Sequence, residues 1–196
     1  MNNLIPLLLF TFSTTFTPGP NNLMMLNSGL HFGVKKSFPS YIGVCLGYPL
    51  MVLMVALGLG VVFTKYSWIK QVLKIIGSLY MLYLAWQILI SASKEKMSQA
   101  RKPLRFSQTV IVQWINPKAW LMAIGAISLF TITTNYFYNA LIIGFVCFFM
   151  CVPCTGSWLL FGTLLQRILK KDSHRIWFNI AMALALVASI GMIFVE

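Results

Sequence analysis

Six apolar runs of at least 20 residues, at about 4–30, 40–63, 69–92, 107–132, 138–165 and 176–195, occupy most of this 196-residue chain. About 20 apolar residues in a helix span the hydrocarbon core of a bilayer. Charged residues make up 9% of the chain and its mean hydropathy is +0.81, where a soluble domain carries about 25% charged residues. These figures exclude a soluble globular protein and a disordered one. The chain is expected to be an all-α membrane protein with six transmembrane helices, forming a single transmembrane domain over 1–196. The run from Leu4 has no basic segment before it and no A-x-A site after it, so it is expected to remain as a span rather than be cleaved as a signal peptide.

The formal net charge is +12. Eleven basic residues fall in three alternate loops: Lys35 and Lys36; Lys94, Lys96, Arg101, Lys102 and Arg105; and Arg167, Lys170, Lys171 and Arg175. The opposite side holds Lys65, Lys70 and Lys74 around one loop. Basic residues in short loops retain those loops in the cytoplasm. Both termini are therefore expected outside it, and the positive charge needs no nucleic-acid partner.

Three runs precede the long basic loop and three follow it. An odd number per half makes the second half enter the membrane from the other side, so related halves (about 1–98 and 99–196) would be two inverted three-helix repeats. Two interruptions support this. Run 1 breaks at Pro18-Gly19-Pro20-Asn21-Asn22 and run 4 at Asn116-Pro117-Lys118, with Pro20 and Pro117 97 residues apart. Paired Gly/Pro breaks at matching positions in two halves point to a transporter's substrate site.

Proline lacks an N–H and clashes with the carbonyl four residues before it. On a helical reading, Pro18, Pro20 and Pro117 release the carbonyls of Thr14, Phe16 and Gln113. Each break also opens a helix N-terminus with free N–H groups and partial positive charge. Such an end attracts a carboxylate, and free carbonyls attract an ammonium or sodium ion. The natural ligand of the pair is a zwitterion, an α-amino acid or a close relative.

Lys118 is the one charged side chain deep within a run, about 16 Å along a helix from Ser107. A charge at that depth costs about 2.5–3.5 kcal/mol on insertion scales and marks function. Desolvation also lets a lysine give up its proton, so Lys118 is the candidate coupling group. Asn21, Asn22 and Asn116 can donate to and accept from a zwitterion or cap the broken ends, and Gln113 is a further candidate. Gly43 and Gly47 are spaced for close helix packing. Cys147, Cys151 and Cys154 share a helix face, and packing is their default role. Metal binding finds no carboxylates in the runs and too few ligands for zinc.

Thr17-Pro18-Gly19-Pro20-Asn21, Asn116-Pro117-Lys118 and the loop Gly33-Val34-Lys35-Lys36-Ser37 together resemble the lysine-exporter (LysE/RhtB-type) family of amino-acid exporters, over the whole chain. Gln113-Trp114-Ile115-Asn116 and Gln166-Arg167 look most similar to its cysteine/O-acetylserine exporter branch. The resemblance implies proton-driven export of small amino acids from the cytoplasm of a bacterial cell, through the inner membrane. Many such relatives carry an acidic residue after the glycine matching Gly47, where this chain has Tyr48. With nothing anionic in the runs, a neutral substrate is expected rather than a cationic one.

The expectation is thus an exporter, not an enzyme, of small neutral amino acids, working by alternating access without cofactor or metal. Its substrate-binding residues are Pro18, Gly19, Pro20, Asn21, Asn22, Gln113, Asn116, Pro117 and Lys118. Its partners are the substrate and membrane lipid, and a homodimer is compatible with it. Two alternatives stand beside it: a thiol–disulfide electron carrier using Cys45 with Cys151 or Cys154, and a metal-ion exporter.

Overall fold

A computed structural model describes residues 4–59, 65–90, 103–131, 136–168 and 172–195. Among these residues there are seven helices and no strand: α1 (Leu4–Phe16), α2 (Pro20–Met54, continued by a wider π-helical turn at Val55–Leu59), α3 (Ser67–Ile90), α4 (Phe106–Ile115), α5 (Pro117–Phe130), α6 (Tyr136–Ile168) and α7 (Asp172–Val195). Lys94, Lys96, Arg101, Lys102, Lys170 and Lys171, on which the charge count partly rests, lie outside the described residues.

The two expected breaks are both present. α1 ends at Phe16, Gly19 is fully extended, and Pro20 opens α2. Asn116 is non-helical between α4 and α5, and its Oδ1 accepts the Lys118 backbone N–H at 3.1 Å. Proline at the first position of α2 and of α5 is pre-set for the helix and gives up an N–H that has no partner there. α4 and α5 meet at a bend of 72°.

By length and composition, Pro20–Leu59 and Tyr136–Leu165 can cross a membrane, and the bent pair α4–α5 can serve as a third span. The expected loop around Lys35 and Lys36 is helical instead. Its turn is concentrated at Gly33, whose φ of 73° and ψ of 174° lie in a region essentially reserved for glycine. The Ser28 Oγ donates to the Ser37 Oγ at 2.7 Å. Nine residues of straight helix would hold them about 13 Å apart, so the chain bends sharply here.

α2 packs along α6. Lipid offers helices no hydrophobic drive to associate, so close van der Waals contact between small residues supplies it. A Cβ on Gly29 would strike the Leu159 carbonyl, and one on Gly162 the Leu26 carbonyl. Gly43 and Gly47 seat α4 against α2, beside Thr109 and Gln113, which is the packing role expected of them. α3 and α7 pair through Met81, Ala85, Ile88, Ala183 and Leu186, and Gly77 of α3 rests on Pro117. Outward side chains such as Ile5, Leu9, Phe145 and Leu184 are more than 60% exposed, as suits surfaces that face lipid.

Candidate functional site

The two breaks meet. Lys118, on the first turn of α5, reaches across to the first break, where its Nζ donates to the Thr17 carbonyl at 3.0 Å, the Thr17 Oγ1 at 2.8 Å and the Pro18 carbonyl at 3.1 Å. Its stem runs over Gly19: a Cβ there would sit 2.9 Å from the Lys118 Cδ. One residue behind the break, Asn21 forms a two-way amide pair with Gln113 of α4. The Asn21 Nδ2 donates to the Gln113 Oε1 at 2.7 Å, and the Gln113 Nε2 donates to the Asn21 Oδ1 at 3.1 Å. Asn22 closes the first break on itself, its Nδ2 donating to the carbonyls of Thr15 at 2.6 Å and Thr17 at 2.9 Å.

Around this junction lies a small, partly open cavity of about 30 Å³. Gly19, Pro20, Asn21, Asn22, Asn116 and Lys118 line it, so six of the nine expected residues share one space. The other three support it. Pro18 supplies a carbonyl to Lys118, Gln113 holds Asn21, and Pro117 packs under Gly77. Lys118 is the one charged residue in the lining, so the cavity carries positive charge and no carboxylate.

The carbonyls expected to be released are not the ones that take the cation. The Thr14 carbonyl accepts the Thr17 Oγ1 at 2.8 Å, the Phe16 carbonyl accepts the Trp158 Nε1 at 3.1 Å, and the Gln113 carbonyl accepts the Asn116 N–H at 3.3 Å. The expectation assumed helix running into each proline. The chain leaves the helix at Phe16, before Pro18, so the carbonyls left over belong to Thr17 and Pro18 in the extended link.

The lining also holds Thr14 and Thr15 of α1, Tyr48 of α2, Ala119 and Met122 of α5, and Cys151 and Thr155 of α6. The hydroxyl run Ser13-Thr14-Thr15 just before the break was a signal for the first two. Nothing local marks Cys151 or Thr155, which α6 brings in from more than 30 residues past the second break. One of the four cysteines, Cys151, therefore lies beside the breaks. Cys151 lines the cavity, with its Sγ 3.4 Å from the Thr155 Oγ1. All four cysteines are free and buried. Trp114 and Trp120, which flank the second break, pack edge to face at 5.8 Å, with the Trp120 Nε1 donating to the Trp114 carbonyl at 2.9 Å.

The described residues contain no group of three or more His, Cys, Asp or Glu that could hold a metal ion. What the junction can do is bind a small zwitterion. Thr17 and Pro18 offer carbonyls to an ammonium, and Lys118 offers charge to a carboxylate.

The chain is 30% identical over 183 residues to the cysteine/O-acetylserine efflux protein of Escherichia coli (strain K12), covering 91% of this chain and 90% of that one. The protein of the same description from Shigella flexneri serotype 5b (strain 8401) matches equally, at 30% with the same coverage, and that of Escherichia coli O139:H28 (strain E24377A / ETEC) at 29%. No solved structure matches significantly. The family model for the LysE type translocator matches residues 12–195. With that model covering nearly the whole chain and both broken helices, the chain belongs to the LysE-type translocators, a family of amino-acid efflux transporters.

Proposed function

We propose that this chain exports small neutral amino acids or their derivatives, of the cysteine and O-acetylserine kind, across a bacterial inner membrane. The observation that carries the reading is the convergence of both breaks on one cavity whose single charged lining residue is Lys118. A cationic side chain would meet no anion there, and burying an unpaired charge is costly. The efflux proteins to which the chain is similar are described by the same substrates.

On this reading the Lys118 ammonium occupies the place of the substrate's own. An arriving zwitterion offers its carboxylate to Lys118 and its ammonium to the carbonyls of Thr17 and Pro18. The exchange replaces one set of charge-assisted hydrogen bonds with another. Lys118 is then free to follow the substrate or to pass its proton on, which makes it the coupling residue of a proton-driven cycle. Alternating access follows from two inverted three-helix repeats, about 1–98 and 99–196, rocking about the shared site. The basic loops lie in the cytoplasm and both termini outside it.

The test is overexpression in a bacterial host, with extracellular amino acids compared against an empty vector. Accumulation of cysteine, O-acetylserine or a similar neutral amino acid is expected. An unchanged medium at good membrane expression would remove the reading.

A further inference from the structure

Five uncharged polar side chains line the cavity and have no part in handling the zwitterion's charges: Thr14 and Thr15 of α1, Tyr48 of α2, and Cys151 and Thr155 of α6. Thr15 is the most informative. Its neighbours on α1 turn their hydroxyls back onto the helix, Thr11 Oγ1 to the Leu7 carbonyl and Thr14 Oγ1 to the Phe10 carbonyl, both at 2.7 Å. The Thr15 hydroxyl is buried, with the residue 8% exposed, and has no hydrogen-bond partner. Buried polar groups in native structures are nearly always paired. Thr15 lines the cavity with its hydroxyl unpaired, so a ligand group entering beside it can supply the missing partner. Across the cavity's other walls, the Cys151 Sγ and Thr155 Oγ1 lie 3.4 Å apart, and the Tyr48 hydroxyl is approached by the Cys147 Sγ at 4.0 Å.

We propose that Thr15, with Tyr48, Cys151 and Thr155, forms the subsite that reads the substrate's side chain, and that it takes a short uncharged chain ending in a hydroxyl, thiol or ester oxygen. The proposal rests on the reading above that the substrate lies between the two breaks. A hydroxyl both donates and accepts, so an alcohol, a thiol or a carbonyl oxygen satisfies Thr15 equally. A carboxylate or ammonium side chain would be buried among neutral groups, which is costly. An apolar side chain would leave Thr15 unpaired, and sites built to pair a polar group discriminate strongly against analogues that lack one.

The experiment is uptake into inverted membrane vesicles of L-serine, L-cysteine and L-alanine, each at the same concentration, for the parent chain, Thr15→Val and Thr15→Ser. Valine keeps the shape and removes the hydroxyl. The parent is expected to favour serine and cysteine over alanine by about 5- to 10-fold. Thr15→Val brings that ratio toward one, and Thr15→Ser preserves it, separating the hydroxyl from any packing role. A parent without the preference, or a Thr15→Val chain that keeps it, overturns the subsite and leaves the transport reading standing. A parent that moves none of the three overturns both.

Discussion

The Nζ of Lys118 lies 3.0 Å from the carbonyl oxygen of Thr17, joining the helix that follows the second break to the link that forms the first. The two interruptions, 101 residues apart at these atoms, are thereby parts of one site. Each supplies what the other lacks: the first has carbonyls without a cation, the second a cation without an anion. A bound zwitterion can satisfy both at once, and only by separating them. On the proposed reading, the stability of the ligand-free junction and its affinity for substrate therefore pull against each other.

The amide pair of Asn21 and Gln113 is expected to be the stabilising strut behind that junction. Gln113 is 0% exposed and also donates to the Thr109 carbonyl at 3.0 Å. Gln113→Leu leaves the Asn21 amide without its partner, at a cost of about 1–3 kcal/mol. Asn21→Leu should cost a similar amount, and the double variant less than the sum of the two. Thermal unfolding in detergent reads all three. Strict additivity would show that the pair carries no coupling.

Gly162 is expected to tolerate nothing larger. Its Cβ would land on the Leu26 carbonyl oxygen, backbone that cannot step aside without parting α6 from α2. Gly162→Ala should lower thermal stability by several degrees or abolish membrane assembly. Gly191→Ala, where a Cβ meets nothing within 4 Å, should do neither and serves as the control in the same measurements. Equal behaviour of the two variants would mean that this close approach does not hold the helices together.

Most of the site was legible because proline and glycine act locally. A break at Pro18-Gly19-Pro20 or at Asn116-Pro117 follows from missing N–H groups and fixed φ whatever the surroundings. The apolar runs were equally plain, since burial in lipid needs only length and composition. What stayed hidden depends on how helices meet. The choice of Thr17 and Pro18 over Thr14 and Phe16 turns on α1 ending before the first proline, a matter of two residues. The arrival of Cys151 and Thr155 at the cavity depends on α6 lying against α2 through Gly29 and Gly162, a register that no local pattern announces.

On the proposed reading, both termini lie outside the cytoplasm, as the loop charges lead one to expect. In a chain with its own cysteines replaced, Asn2→Cys and Glu196→Cys should each react with a membrane-impermeant maleimide applied to intact spheroplasts. Labelling of either position only after permeabilisation would reverse the orientation or change the number of spans, because an even count places both ends on one side.

The thiols are expected to serve packing and the cavity wall rather than electron transfer. Replacing Cys45, Cys147 and Cys154 with alanine, and Cys151 with serine, should leave at least about a third of the transport rate, since free cysteine behaves as a small buried hydrophobe. Export assays at matched protein levels measure this. Loss of all transport together with a Cys45–Cys151 disulfide in the parent would favour the electron carrier instead, since both residues lie in one buried cluster.

Lys118 is the residue on which the proposed cycle turns, and Lys118→Met separates its charge from its bulk. Methionine keeps an unbranched chain over Gly19 and removes the ammonium, together with an insertion cost of about 2.5–3.5 kcal/mol. The variant should therefore enter the membrane at least as well as the parent. Its Pro18 carbonyl loses its donor, the Thr17 carbonyl keeps only that of Asn22, and a substrate carboxylate loses the one cation in the cavity lining, so transport should fall at least about 10-fold. Lys118→Arg should also be impaired, because a guanidinium is planar, broader and does not give up its proton. Uptake into inverted vesicles at equal protein levels reads both. Near-parent transport by Lys118→Met would show that neither substrate binding nor coupling needs this amine, leaving the zwitterion to the backbone carbonyls and the asparagines.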